Sequence, residues 1–134
     1  MTFIYTRCPL PDYCLRMSDN FGRLQKRFAA QLDHDLVLLS VSFDPAHDRP
    51  EVLAKYAAQW KAAPGWHFLT GSDDAVKQVC DLFGASFWHD GDLITHALHT
   101  VVIDRRGMLV ANIEGNHFTA RQLGDLIEAR LKTK

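Results

Sequence analysis

Apolar positions along the chain fall into two kinds of run. Short, nearly continuous runs read as strands: Phe3, Ile4 and Tyr5; LVLLSVSF at 36–43; Trp66, Phe68 and Leu69; LHTVVID at 98–104; and MLVANI at 108–113. Between them, apolar residues recur at helical spacing. Leu15, Phe21, Leu24, Phe28 and Leu32, flanked by Met17, predict a helix that starts near Asp12 as its cap and runs to about Leu32. Val52, Leu53, Tyr56 and Trp60 follow Pro50 and Glu51 in a second helix. Val76, Val79, Leu82 and Phe83 follow a Ser72 or Asp73 cap in a third. Leu123, Leu126, Ile127 and Leu131 follow Thr119 in a fourth. Residues 84–92 mix polar and aromatic positions without a period and read as a loop. Arg106-Gly107 reads as the tight turn of a hairpin.

The resulting order, β-α-β-α-β-α-β-β-α, predicts an α/β protein with a central mixed sheet and helices on both faces. The closing hairpin and helix resemble the thioredoxin pattern, which makes the expected architecture a thioredoxin-like three-layer sandwich. No linker or repeat divides residues 1–134, so one domain is expected.

Composition narrows the function classes. Hydrophobic residues make up 47% of the chain, enough for a packed core. Fifteen Lys and Arg stand against 16 Asp and Glu without clustering, which gives no basic surface for nucleic acid. No run approaches the apolar length of a membrane span, and MTFIYTRC lacks the regions of a signal peptide.

Three cysteines are too few for a disulfide scaffold. Cys8 ends the first strand and Cys14 falls in or near the first helical turn, where backbone N–H groups favour a thiolate. A thiolate is both the attacking species in disulfide exchange and the form that ligates metal. Pro9 and Pro11 keep the intervening segment out of a helix interior. Cys80, beside Val79 in the third helix, reads as a packed free thiol. Among seven histidines, His34, His47, His67 and His117 read as peripheral and His89 as a loop residue. His96 and His99 flank the entry to the strand expected beside the first, and spacing alone does not choose between them. Two thiolates and one imidazole form a soft donor set suited to copper, with sulfur favouring Cu(I).

FIYTRCP (3–9), VSFDPAHDRPEVLAKYA (41–57) and THALHTVVIDRRG (95–107), in this order, resemble the SCO1/SenC family of thioredoxin-like copper proteins of cytochrome c oxidase assembly. The likeness covers essentially the whole chain. Counting back from Asp104, it places the metal-binding histidine on His96. Two departures stand out. Five residues, PLPDY, separate the cysteines where the family usually has three, and Thr95 stands where an Asp commonly precedes the histidine. The resemblance also implies an earlier strand-rich segment with a membrane anchor or export signal, and a periplasmic location or one on the outer face of a bacterial cytoplasmic membrane.

The leading expectation is a metallochaperone that holds copper, as Cu(I) or Cu(II), through Cys8, Cys14 and His96. Its implied partner is a copper-site subunit of a respiratory oxidase. A second expectation is a thiol-disulfide oxidoreductase using Cys8 and Cys14 as a redox pair on a metal-binding partner. A third is a binding module with a structural disulfide.

Overall fold

The computed structural model describes residues 1–8, 11–85, 87–90, 93–96 and 98–133. Strand β1 (Thr2–Ile4) leads into a π-helical turn (Pro11–Leu15) and helix α1 (Arg16–Arg27). Then follow β2 (Leu38–Ser42), α2 (Pro50–Gln59), β3 (Trp66–Leu69) and α3 (Asp73–Leu82). A hairpin of β4 (Phe87–Asp90) and β5 (Leu93–His96) precedes β6 (His99–Ile103), β7 (Leu109–Glu114) and α4 (Ala120–Leu131).

The main sheet has the order β3-β2-β1-β6-β7. β1 runs parallel to β2 and antiparallel to β6, so the three strands expected to share a sheet do so. β1 is central, and Phe3, Ile4 and Tyr5 are at most 1% exposed. The sheet is covered on both faces. One cluster packs Phe3, Tyr5, Phe43 and Tyr56 around Cys14, Met17 and Cys80. The other packs Phe21, Leu24, Phe28 and Trp66 against Leu123 and Ile127 of α4. None of the described helices is long and apolar enough to cross a membrane.

The helix starts follow the expected chemistry. Pro50 opens α2, Ser72 accepts from Ala75 N–H at the head of α3, and Thr119 forms a reciprocal capping box with Gln122. Gly65 adopts φ +100, and a Cβ there would meet the Asp33 backbone nitrogen at 2.7 Å, so the entry to β3 needs glycine.

Several expectations are corrected. α1 ends at Arg27, not Leu32, although turns bonded back to Phe28 carry residues 28–32 in near-helical course before Asp33 breaks it at φ 71. This is why Phe28 and Leu32 still bury on the helical stripe. At the other end, α1 is preceded by the π-helical turn, and no side chain caps it. Leu15 is 41% exposed, whereas Met17, expected only at the flank, is 1% exposed, because at about 100° per residue Met17 lies on the face of Phe21 and Leu24 and Leu15 lies opposite Leu24. Leu82 likewise faces outward, at 73% exposed, because Val76 and Cys80 at i, i+4 form the buried stripe of α3. Finally, the segment expected as a loop contains β4 and joins β5 in a separate two-stranded sheet. Its aromatic positions are β-formers, and Phe87 anchors the hairpin, with its ring 5.3 Å from that of Phe43.

Candidate metal and redox centre

The cysteines meet at the C-terminal end of β1. Both are thiols, Cys8 half-buried and Cys14 only 1% exposed, and the two side chains are hydrogen-bonded to each other. Tyr5 ties both to the strand end. Its carbonyl accepts from Cys8 N–H at 3.3 Å, and its own N–H donates to the Cys14 sulfur. The five-residue spacer is thus accommodated: the π-helical turn takes up chain length and still delivers Cys14 to Cys8.

Electrostatics at Cys14 run opposite to the expected helix-start effect. Its thiol is held well above the ordinary range, first by the hydrogen bond to Cys8, then by burial and by negative charge on Cys8. The Tyr5 N–H opposes this and the Asp48 carboxylate adds to it. Cys14 therefore keeps its proton and shares it with Cys8. Cys8, the more exposed sulfur, is the one an incoming thiol or metal meets first.

The turn after β2 grips the segment that carries Cys8. Asp48 is fully buried and accepts from Thr6 N–H at 3.0 Å, from the Thr6 hydroxyl, and from the Ser42 hydroxyl at 2.6 Å. Asp44 accepts from Arg7 through Nη2 at 2.7 Å and Nε at 3.2 Å. Behind Cys14, one helical turn on, Ser18 meets the Tyr56 hydroxyl at 2.8 Å. Burial raises the Tyr56 phenol, bonds from Ser18 and Trp60 oppose the rise, and charge on Cys14 and Cys8 adds to it, so the ring borders the dithiol. Residue spacing did not single out Thr6, Ser18 or Ser42, and it marked Tyr56 only as a core position of the second helix. Two hydroxyl residues on a buried strand and a buried helix face were the available signal.

His99 heads β6, and its Nδ1 lies 2.7 Å from Asn112 Oδ1, while Asn112 Nδ2 donates to the Phe83 carbonyl at 2.8 Å. With its amide nitrogen so committed, Asn112 presents oxygen, and His99 donates from Nδ1. The side chains of His96, Thr95 and His89 lie outside the described residues. Strand register makes His96 the cross-strand neighbour of Phe87, which packs against the cluster containing Cys14. Among the described residues no group of three or more His, Cys, Asp or Glu side chains converges to hold a metal ion. Cys80 is buried 1% exposed in α3, and burial with the neighbouring Asp81 charge pushes its thiol up to about 11.

Known proteins share both fold and sequence with this chain. The crystal structure of yeast Sco1 with copper bound superposes with a TM-score of 0.81 at 25% identity, covering 99% of this chain and 75% of that one. BsSco, a member of the Sco family of cytochrome c oxidase assembly proteins in which a disulfide switch was identified, gives a TM-score of 0.78 at 25% identity. The match covers 99% of this chain and 79% of that one. The SCO1 protein homolog of Bacillus subtilis is 37% identical over 70 residues, 52% of this chain and 35% of that protein. The mitochondrial SCO2 protein of Saccharomyces cerevisiae is 28% identical over 125 residues, 86% of this chain and 39% of that protein. The chain thus matches between about a third and about half the length of its curated relatives. The SCO1/SenC sequence profile matches residues 1–132, and the chain, a thioredoxin-like domain, belongs to the SCO1/SenC family.

Proposed function

We propose that this domain carries copper as cargo, held by Cys8 and Cys14 with His96 as third donor, and passes it to a copper-site subunit of a respiratory oxidase outside the cytoplasm. The observation that carries the reading is the contact between the two thiols at the end of β1. Nearby carboxylates do not compete for the ion: Asp44 is committed to Arg7, and Asp48 to Thr6 and Ser42. The donors left are soft, which suits Cu(I). His99 donates to Asn112 from Nδ1, and the family resemblance favours His96. A half-exposed first sulfur gives a partner's ligands a point of entry for exchange.

Competition titration of the reduced protein against a Cu(I) chelator tests this. One equivalent should bind, Cys8→Ser and Cys14→Ser should abolish tight binding, and His96→Ala should weaken it by about 10-fold or more, while His99→Ala leaves it near the unmodified value. Unchanged affinity in Cys8→Ser would overturn the dithiol site, and unchanged affinity in His96→Ala would remove that ligand.

The pairing of a half-exposed with a buried thiol also supports a thiol-disulfide exchange role. The Cys8 thiolate attacks a partner disulfide, forming a mixed disulfide and releasing one partner thiolate. Cys14 then attacks the Cys8 sulfur and releases the second, leaving the partner reduced and the Cys8–Cys14 pair oxidised. Stoichiometric reduction of a disulfide peptide by the metal-free protein, lost in Cys8→Ser, is the expected result.

A further inference from the structure

We infer that Asp48 is a positioning residue for the dithiol: it clamps Thr6 and so fixes the strand end that holds Cys8 against Cys14. The inference rests on reading Cys8 and Cys14 as the working pair, and it adds a residue with no direct role in holding copper. Asp48 is fully buried, and its described side-chain partners are Thr6, just past β1, and Ser42, at the end of β2, where the chain leads into the site. Two of its bonds go to Thr6, from N–H and hydroxyl, and the third goes to Ser42 at the end of β2. Ser42 Oγ in turn accepts from Asp44 N–H at 3.0 Å, and Asp44 O accepts from Asp48 N–H at 2.7 Å, which closes the turn on itself.

Thr6 is the residue between Tyr5, which contacts both cysteines through its backbone, and Arg7, which precedes Cys8. β1 has ended at Ile4, so no sheet ladder holds Thr6, Arg7 or Cys8 in place. The carboxylate supplies the missing restraint. A buried carboxylate needs donors on both oxygens to be tolerated. Here Oδ1 takes the Thr6 hydroxyl, and Oδ2 takes Thr6 N–H and Ser42. Loss of the Thr6 hydroxyl leaves Oδ1 without that donor and frees the strand end. Serine at the same position restores the bond.

The test reads the closeness of the two sulfurs in metal-free protein. Equilibration with a ratio series of oxidised and reduced glutathione forms the Cys8–Cys14 bond as one oxidised glutathione becomes two thiols, and mass mapping quantifies it. Thr6→Val should lower the effective concentration of one cysteine at the other by about 10-fold, Asp48→Ala by at least as much, and Thr6→Ser should stay within about 2-fold of the unmodified protein. Thermal midpoints taken alongside separate this from general destabilisation, because Thr6→Val and Thr6→Ser should melt within a few degrees of each other. Should Asp48→Ala not fold, the Thr6 pair decides. Equal effective concentrations in Thr6→Val and Thr6→Ser would overturn the clamp, as would an unmodified protein that forms no Cys8–Cys14 disulfide. A protein that forms the disulfide normally yet binds no Cu(I) would end the cargo reading while the Thr6 comparison still tests the clamp.

Discussion

The hydroxyl of Ser18 lies 2.8 Å from that of Tyr56, joining the buried face of α1 to α2 directly behind the dithiol. Ser18 is fully buried and Tyr56 is 7% exposed, so each hydroxyl has little access to water. Removing one partner leaves the other short of a bond in a dry site, at a cost of about 1–3 kcal/mol. Tyr56→Phe and Ser18→Ala should each lower stability by that order, and the double variant should cost clearly less than their sum. Urea unfolding of the four proteins in parallel checks this. Additive losses would mean that the two groups act independently.

The three cysteines should separate cleanly by reactivity. Cys80 is 1% exposed, and burial, with the Asp81 charge, pushes its thiol up to about 11, so it stays protonated and inaccessible at neutral pH. Iodoacetamide at pH 7.5 should modify Cys8 first and leave Cys80 intact until the protein unfolds. The raised Cys80 value also makes stability fall with pH. The unfolded thiol loses its proton near its ordinary value of about 8.5 while the folded one keeps it, so that stabilisation is complete below about 8.5 and is lost as pH rises toward about 11. Peptide mapping across a pH series, run with Cys80→Ala as control, gives the measurement. Early labelling of Cys80 in the native protein would contradict the packing.

How much of this was legible beforehand depends on what kind of signal a residue carries. Runs such as LVLLSVSF declare a buried strand because both faces are covered, and the caps at Ser72 and Thr119 declare themselves because one side chain meets the nearest turn. The cysteine pair was visible as chemistry in an unusual setting. Its electrostatics were not, because the rise at Cys14 comes first from contact with Cys8, a tertiary fact that a helix-start argument omits. The Thr6–Asp48 clamp joins residues 42 positions apart, and nothing local in either residue announces the other. The π-helical turn was hidden for another reason. A one-residue widening changes no composition and leaves no local mark in the sequence.

The hairpin between β6 and β7 turns on Asp104, whose carboxylate accepts from Arg106 N–H and Met108 N–H, each at 2.9 Å. The Met108 bond comes first among the causes that hold this carboxyl below its usual range, with the Arg106 N–H also contributing. A lowered folded value means that the turn is supported above the unfolded carboxylate pKa and loses support as pH falls through the folded one. Asp104→Ala should therefore raise amide exchange at 105–109 at neutral pH and have less effect in acid low enough to protonate the native carboxyl. Hydrogen exchange read by residue at both pH values decides it. Equal protection in the variant and the unmodified protein at pH 7 would show that Gly107, at φ +77, holds the turn alone.

Leu15 and Met17 make the sharpest contrast at the start of α1, two apolar residues that the fold treats oppositely. At about 100° per residue Leu15 falls opposite Leu24, whereas Met17 sits one turn before Phe21 on the stripe with Leu24 and Phe28. Leu15 is accordingly 41% exposed, and the buried line into the helix is Cys14, Met17 and Phe21. Met17 packs with Phe3, Ile4 and Phe43, and the Thr100 hydroxyl donates to its sulfur at 3.7 Å. Truncating such a side chain removes apolar contact and leaves a cavity, so Met17→Ala should cost about 2–5 kcal/mol, whereas Leu15→Ala should stay within about 1 kcal/mol. Leu15→Lys is the stricter test, because a charge is tolerated only on a surface that water reaches. Urea denaturation of the three variants checks the order. A Leu15→Lys loss comparable to that of Met17→Ala would return Leu15 to the core and overturn this assignment of faces at the start of α1.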